Sequence, residues 1–216
     1  MITDGIILDI DGTLWNTTEI VAKAWNTAIE RNCPKLARVN AEILKGQFGK
    51  PMNVIADNLF KGISSAEREN LLEACCTLEQ KAIAENNLDI SYPLVRETIE
   101  ELSKSFKLFI VSNCHDGYIE LTMKKNQISS FITDWECFGH NKKTKAENIR
   151  LVAERNNLKK PVYVGDTEGD LTACLQADLP FIWASYGFGK DLPKEKVSAL
   201  IKSFSELPKL LEKADY

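Results

Sequence analysis

Apolar residues fall along this chain in three successive rhythms, and each predicts a different kind of element. Gly5-Ile6-Ile7-Leu8 is a short unbroken apolar run, as expected of a strand buried on both faces. From about Asn16 to Asn87 the spacing becomes helical throughout. Ile20, Val21, Ala24, Trp25, Ala28 and Ile29 form one stripe. Met52, Ile55, Ala56, Leu59 and Phe60 form a second, opened by Pro51 at a first helical position, and Leu71, Leu72, Cys75, Leu78, Ala82 and Ile83 form a third. Beyond residue 92 the pattern alternates. It predicts a helix over Leu94 to Ser103, a strand over Leu108 to Val111, a weaker strand from Phe131 and a helix over Ala146 to Asn156. A strand over Val162 to Val164, a helix over Glu168 to Gln176, a last strand at Phe181 to Trp183 and a tail helix from Pro208 complete it. Such alternation means a parallel sheet covered by helices on both faces. The long helical stretch after the first strand reads as an inserted helical subdomain.

Ligands of a parallel sheet bind beyond the carboxyl ends of its strands. Here those ends are polar: Asp9 and Asp11, then Ser112 and Asn113, then Gly165 and Asp166. In Asp9-Ile10-Asp11-Gly12-Thr13 two carboxylates stand two positions apart, on the same side of an extended segment. Two close carboxylates repel, more so when buried, and such a pair is usually neutralised by a cation or uses one member as an acid. Taken singly, each group has a duller reading: an Asp-Gly turn, a turn after a strand, a solvated lysine, a helix cap at Asp166 and Asp170. An Asp-x-Asp-Gly-Thr string arises by chance on the order of a few times per thousand chains of ordinary composition. The conjunction of all four is what makes the dull readings improbable.

These motifs, in this order, resemble the haloacid dehalogenase-like hydrolase superfamily, which consists mostly of phosphatases. The resemblance rests on Asp9-x-Asp11-Gly12-Thr13, the strand ending Ser112-Asn113, Lys145 opening a helix, and Gly165-Asp166-x-x-x-Asp170, and it spans essentially the whole chain. It implies a three-layer α/β/α Rossmann-like core, residues 1–15 and 92–216, with a small mobile all-helical cap, residues 16–91, as in phosphoglycolate phosphatase-like and phosphoglucomutase-like members. It further implies a Mg²⁺-dependent phosphomonoester hydrolase acting on a small phosphorylated metabolite. Asp9 would be the nucleophile, forming an aspartyl-phosphate, and Asp11 the acid and base. Asp9, Asp166, Asp170 and the backbone carbonyl of Asp11 would serve the metal. Thr13, Ser112 and Asn113 would bind the phosphoryl group, and Lys145 would lie near Asp9; Lys142 is a rival for that role. In the glycine-punctuated loop Lys45 to Pro51, Lys50 and Gln47 are candidates for touching the leaving group, a solvated loop lysine being the alternative for Lys50.

Two departures stand out: Asn16 replaces a frequent aspartate, which preserves a capping role but not a charged one, and Thr-Lys-Ala replaces the usual Lys-Pro context of the third motif. His115 and His140 lack metal-ligand spacing, and His115 is read as a surface histidine, with a place at the border of the site entrance as the alternative.

The remaining composition narrows the class. The chain has 216 residues, enough for one large domain or a core with a modest second lobe, and a net charge of -4 with no basic patch, which argues against nucleic acid. Asp4 and Gly5 interrupt the apolar start, so no signal peptide or membrane span is expected, and six cysteines without a Cys-x-x-Cys pair suit reduced thiols in the cytoplasm. The expected partner is a small phosphate ester, met by a monomer or homodimer. A phosphomutase using the same Asp9 and Asp11 is the nearest rival, and a non-catalytic binding protein on the same scaffold the more distant one.

Overall fold

A computed structural model describes residues 3–212. Its centre is a six-stranded, wholly parallel sheet: β1 Gly5–Leu8, β2 Lys107–Ser112, β3 Ile132–Cys137, β4 Pro161–Gly165, β5 Phe181–Ala184 and β6 Ala199–Ile201, in the spatial order β3-β2-β1-β4-β5-β6. The first strand therefore lies centrally, with later strands added on either side of it. In register, Leu8 stands beside Ile110 of β2 and Val164 of β4. Asp9, Ser112 and Asp166 follow at nearly the same height, at the switch point where ligands of such sheets bind.

Alternate residues of the strands feed two apolar layers. Ile6, Leu8, Leu108, Ile110, Val162 and Val164 face one side, where α5 (Val95–Ser103), α6 (Tyr118–Lys125) and α10 (Leu207–Glu212) contribute Val95, Ile99, Tyr118, Ile119, Leu207 and Leu211. Ile7, Phe109, Val111, Tyr163, Phe181 and Trp183 face the other, covered by α8 (Lys145–Arg155) and α9 (Glu168–Ala177). A short helix α7, Phe138–Asn141, follows β3. The α/β three-layer class expected from the alternation is the observed one.

The stretch between β1 and β2 carries α1 Thr18–Asn32, α2 Ala41–Lys45, α3 Met52–Leu59 and α4 Ser65–Glu85, with loops at 33–40 and 60–64 interrupting the helical run. Pro51 is the residue before the first helical turn of α3 rather than in it. Ser64 and Glu67 form a reciprocal capping box that starts α4. Asn16 keeps a capping function one step early, its Oδ1 accepting from the Thr18 backbone N–H at 3.2 Å. The two chain segments joining the helices to the sheet run side by side: Asn16 N–H donates to Ile90 O and Tyr92 N–H to Leu14 O, each at 2.9 Å, with Trp15 paired antiparallel to Ser91.

β6 and α6 had no signal in the sequence pattern, and β3 only a weak one. β6 has only three residues, too few for a period. α6 shows four buried positions, and two of them, Tyr118 and Thr122, are polar. β3 extends from the expected weak start through Cys137, and as an edge strand it alternates buried and exposed positions.

Candidate active site

Charge is concentrated where β1, β2 and β4 end. Asp9 is 1% exposed, and its backbone N–H is bonded to Val164 O. Lys145 lies in the first turn of α8, started by a capping box between Thr144 and Glu147. Its side chain runs inward, 4% exposed, and its ammonium donates to Asp9 Oδ1 at 3.0 Å and to Asp170 Oδ1 at 2.5 Å. Lys142 points elsewhere, bonded to Gly139 O at an exposed position. Asp170 is fully engaged: its Oδ2 accepts from Thr167 N–H at 2.9 Å, Thr167 Oγ1 at 2.7 Å and Asp166 N–H at 3.2 Å. It is thus both a helix cap and the second anchor of Lys145.

Asp166 is buried between the β1 loop and the loop after β5. Thr13 Oγ1 donates to its Oδ1 at 3.3 Å, and Phe188 N–H donates to its Oδ2 at 2.7 Å. The backbone leaves no room for side chains here. Gly12 has φ +88°, and a Cβ on it would fall 2.1 Å from Asp166 Oδ2, while one on Gly189 would fall 2.0 Å from Asp166 O.

Carboxylate oxygens of Asp9, Asp166 and Asp170 lie within 4.8 Å of one another. Three buried carboxylates against one ammonium leave an excess of negative charge. Burial pushes Asp9 up to about 6 despite the pull of Lys145, and burial with the charge of Asp170 pushes Asp166 well above the usual range. For Lys145, burial opposes the charged form, yet Asp170 and Asp9 outweigh it and the ammonium persists. A hard, oxygen-only, electron-rich cluster of this kind fits a divalent cation such as Mg²⁺.

Asp11 is treated differently from Asp9. Both of its hydrogen bonds fall on one oxygen: Thr17 Oγ1 donates to Oδ1 at 2.7 Å, and Tyr118 OH donates to the same atom at 2.9 Å. Burial raises Asp11 to about 7, although these two donors hold it down. Ser112 and Asn113 are buried at the end of β2. The Asn113 amide donates to Gly49 O at 2.8 Å, across to the helical insertion, and its Oδ1 has no hydrogen-bond partner.

An inner cavity of about 30 Å³ lies over Asp9 and Asp11, and an outer one of about 630 Å³ shares part of its lining. Asn113, Phe48, Gly49 and Lys50 line both. The Lys50 ammonium is bonded within its own loop, to Gly46 O at 2.9 Å and Gln47 Oε1 at 3.2 Å. Gln47 lines neither cavity; its Oε1 also accepts from Asn58.

His115 is corrected by the structure. Instead of standing at the surface, its side chain is 13% exposed and its Nε2 lies 3.4 Å from Glu79 Oε1. Glu79 of α4 is 4% exposed, and Trp25 of α1 donates its indole N–H to Glu79 Oε2 at 2.6 Å. Glu79, Thr17, Tyr118 and the Gly187–Gly189 loop carried no motif. The one readable sign was the Gly187-Phe188-Gly189 pair of glycines after β5.

The haloacid dehalogenase-like hydrolase family profile matches residues 6–184. Phosphoglycolate phosphatase of Pseudomonas putida is 25% identical over 215 residues, covering 94% of this chain and 77% of that protein. That of Pseudomonas fluorescens is 25% identical over 222 residues, covering 97% and 80%. Among solved structures, a predicted phosphoglycolate phosphatase from Haemophilus somnus superposes with a TM-score of 0.82 at 19% identity, covering 96% of this chain and 97% of that one. CbbY from Rhodobacter sphaeroides, solved with xylulose-1,5-bisphosphate, gives 0.78 at 17% identity, covering 95% and 96%. Sequence profile, strand order and the acidic strand ends agree: the chain belongs to the haloacid dehalogenase-like hydrolase family, and within it resembles phosphatases.

Proposed function

We propose that this chain hydrolyses the phosphomonoester of a small metabolite through an aspartyl-phosphate on Asp9. The observation that carries the reading is the division of labour between the two carboxylates of one strand end. Asp9 is paired with the Lys145 ammonium at 3.0 Å, whereas Asp11 is held by two neutral hydroxyls. Burial raises Asp11 to about 7 and Asp9, which has the Lys145 ammonium beside it, to about 6, so the order of the two places the proton on Asp11.

In the first step an Asp9 carboxylate oxygen attacks phosphorus as the bond to the ester oxygen breaks. Asp11 gives its proton to the departing alkoxide. Thr17 and Tyr118 engage Oδ1, so the proton is carried on Oδ2. In the second step Asp11, now a carboxylate, takes a proton from water as that water attacks phosphorus and releases Asp9. Ser112, the Asn113 amide and Lys145 supply donors around the phosphoryl oxygens, while Thr13 steadies Asp166. Asp9, Asp166 and the Asp11 carbonyl would hold Mg²⁺, with Asp170 behind them; its chemistry is to neutralise charge on the phosphoryl oxygens.

Residues 16–91 act as a cap in this reading. The paired segments at Leu14–Asn16 and Ile90–Tyr92 support a hinge there, and Asn113, Gly49 and the Phe48–Phe188 ring contact at 6.0 Å meet across the cleft. Lys50 lines both cavities in this cap loop and is the loop residue best placed to meet substrate; Gln47 acts on it indirectly.

The test is phosphate release from p-nitrophenyl phosphate and small phosphate esters with Mg²⁺, with EDTA, and with Asp9→Asn. Metal-dependent release abolished by the variant is the expected result. No release by folded protein that still binds Mg²⁺ would overturn it, and exchange between two sugar phosphate isomers with little phosphate release would identify a mutase instead.

A further inference from the structure

The lining of the inner cavity draws Trp25 from α1, Glu79 from α4, Tyr118 from α6, and Asn113 and His115 from the segment after β2, and its hydrogen-bonding groups are out of balance. Most of its side-chain donors are already engaged. The Trp25 indole N–H is on Glu79 Oε2, and the Tyr118 hydroxyl is on Asp11. His115 Nε2 faces Glu79 Oε1, and its Nδ1 lies 3.1 Å from Asp116 O and 3.2 Å from the Gln80 amide nitrogen. The Asn113 amide is oriented by Gly49 O, since a carbonyl only accepts.

Acceptors, by contrast, are left over. Asn113 is 9% exposed, and its Oδ1 meets no donor. Glu79, 4% exposed, has one hydrogen bond on each oxygen, so each retains a lone pair. A buried acceptor without a partner is costly, and a ligand that supplies the missing donor removes that cost. Glu79 also places a carboxylate in the same cavity as Asp11, on the path of a departing group.

We propose that Glu79 and Asn113 Oδ1 select a leaving group that donates hydrogen bonds: a phosphate ester of a polyol or amino alcohol, rather than one whose leaving group bears a carboxylate. This rests on the phosphomonoesterase reading above and sharpens its substrate class. A hydroxyl or ammonium finds two acceptors in this lining, Glu79 on α4 and Asn113 Oδ1 after β2. A second carboxylate finds Glu79 at low dielectric and engaged donors on α1, α4 and α6, while the Ser112 hydroxyl and the Asn113 amide at the end of β2 are directed to the phosphoryl group in the reading above and the Lys50 ammonium is bonded within its loop. The preference differs from what the names of the Pseudomonas relatives suggest for this chain.

The experiment compares kcat/KM for glycerol 1-phosphate, ethanolamine phosphate and phosphoglycolate, with p-nitrophenyl phosphate as a reference that offers no donor. The wild-type protein should favour the first two over phosphoglycolate by at least about tenfold. Glu79→Gln should narrow that ratio by about tenfold. Phosphoglycolate turned over as well as glycerol 1-phosphate by wild type overturns the inference, and this arm decides even where Glu79→Gln does not fold. A ratio unmoved in folded Glu79→Gln overturns the role of that residue. Failure of the phosphatase reading looks different: p-nitrophenyl phosphate and every ester remain intact.

Discussion

The two walls of the inner cavity both bury carboxylate, and they handle it in opposite ways. On the sheet side Asp9, Asp166 and Asp170 converge from two strand ends and the following helix, and share a single ammonium, Lys145. On the helical side Glu79 stands alone, with an indole and an imidazole for itself. The first wall is under-neutralised and calls for a cation and an anion together, as phosphate with a divalent metal provides. The second is locally balanced and calls for neutral or positive donors. On the readings proposed above, chemistry and selection would be separated by electrostatics as well as by position.

The largest break in this comparison should come at the nucleophile. Asp9→Asn removes the attacking carboxylate but keeps its size, and activity should fall at least about a thousandfold with the thermal midpoint little changed. Next, Lys145→Met leaves Asp9 and Asp170 buried without their cation, and should lower stability by about 3–5 kcal/mol. Glu79→Gln, which keeps an acceptor for Trp25, should lower it by only about 1 kcal/mol. Equal losses in chemical denaturation would show that the two walls are not electrostatically distinct. Addition of Mg²⁺ at a hundred times its dissociation constant should stabilise the protein by about 2.7 kcal/mol. Asp166→Asn should abolish that gain and Glu79→Gln should retain it.

Smaller effects sharpen the picture. Tyr118→Phe removes one of the two donors on Asp11 Oδ1, freeing that oxygen to take the proton. Hydrolysis of alkyl esters should fall by about tenfold, whereas p-nitrophenyl phosphate, whose leaving group needs no proton, should be nearly unaffected. The smallest effect belongs to His115. Burial lowers its pKa, but the hydrogen bond and charge of Glu79 outweigh it, so the folded value is raised. Its contribution is therefore fully present below the unfolded value of about 6.5 and lost as pH rises through the folded value. The midpoint difference between wild type and His115→Gln should be largest near pH 5.5 and shrink toward pH 8.

What was legible in the sequence was whatever lay close together along it. Asp9 and Asp11 share one strand end, Thr167 and Asp170 share one helix start, and Lys145 follows its own cap residue by one position. The parallel sheet with helices on both faces follows from the alternation, whereas the strand order was not written in it. Glu79 was illegible for a physical reason. Leu71, Cys75, Glu79 and Ile83 are the buried residues of α4, each four positions from the last, so Glu79 occupies a core position of an otherwise apolar line. Its partners come from Trp25 and His115, 54 residues before and 36 after it. No local pattern encodes that meeting. Tyr118 and the Phe188 loop reach Asp11 and Asp166 over 107 and 22 residues in the same way.

The contact between Asn113 and Gly49 has a kinetic consequence. With about 30 Å³ over the two aspartates, the inner cavity has room for a water or two and not for a leaving group. If residues 16–91 open as the cap proposed above, each turnover would begin and end with the separation of the Asn113–Gly49 and Gln80–Asp116 hydrogen bonds, the Glu79–His115 contact and the Phe48–Phe188 pair. The two neutral hydrogen bonds contribute only about 1 kcal/mol each. The cleft is closed by a few weak fasteners placed around its rim, so the rate at which products escape can be tuned at Gly49 or Gln80 without touching an atom that takes part in bond breaking.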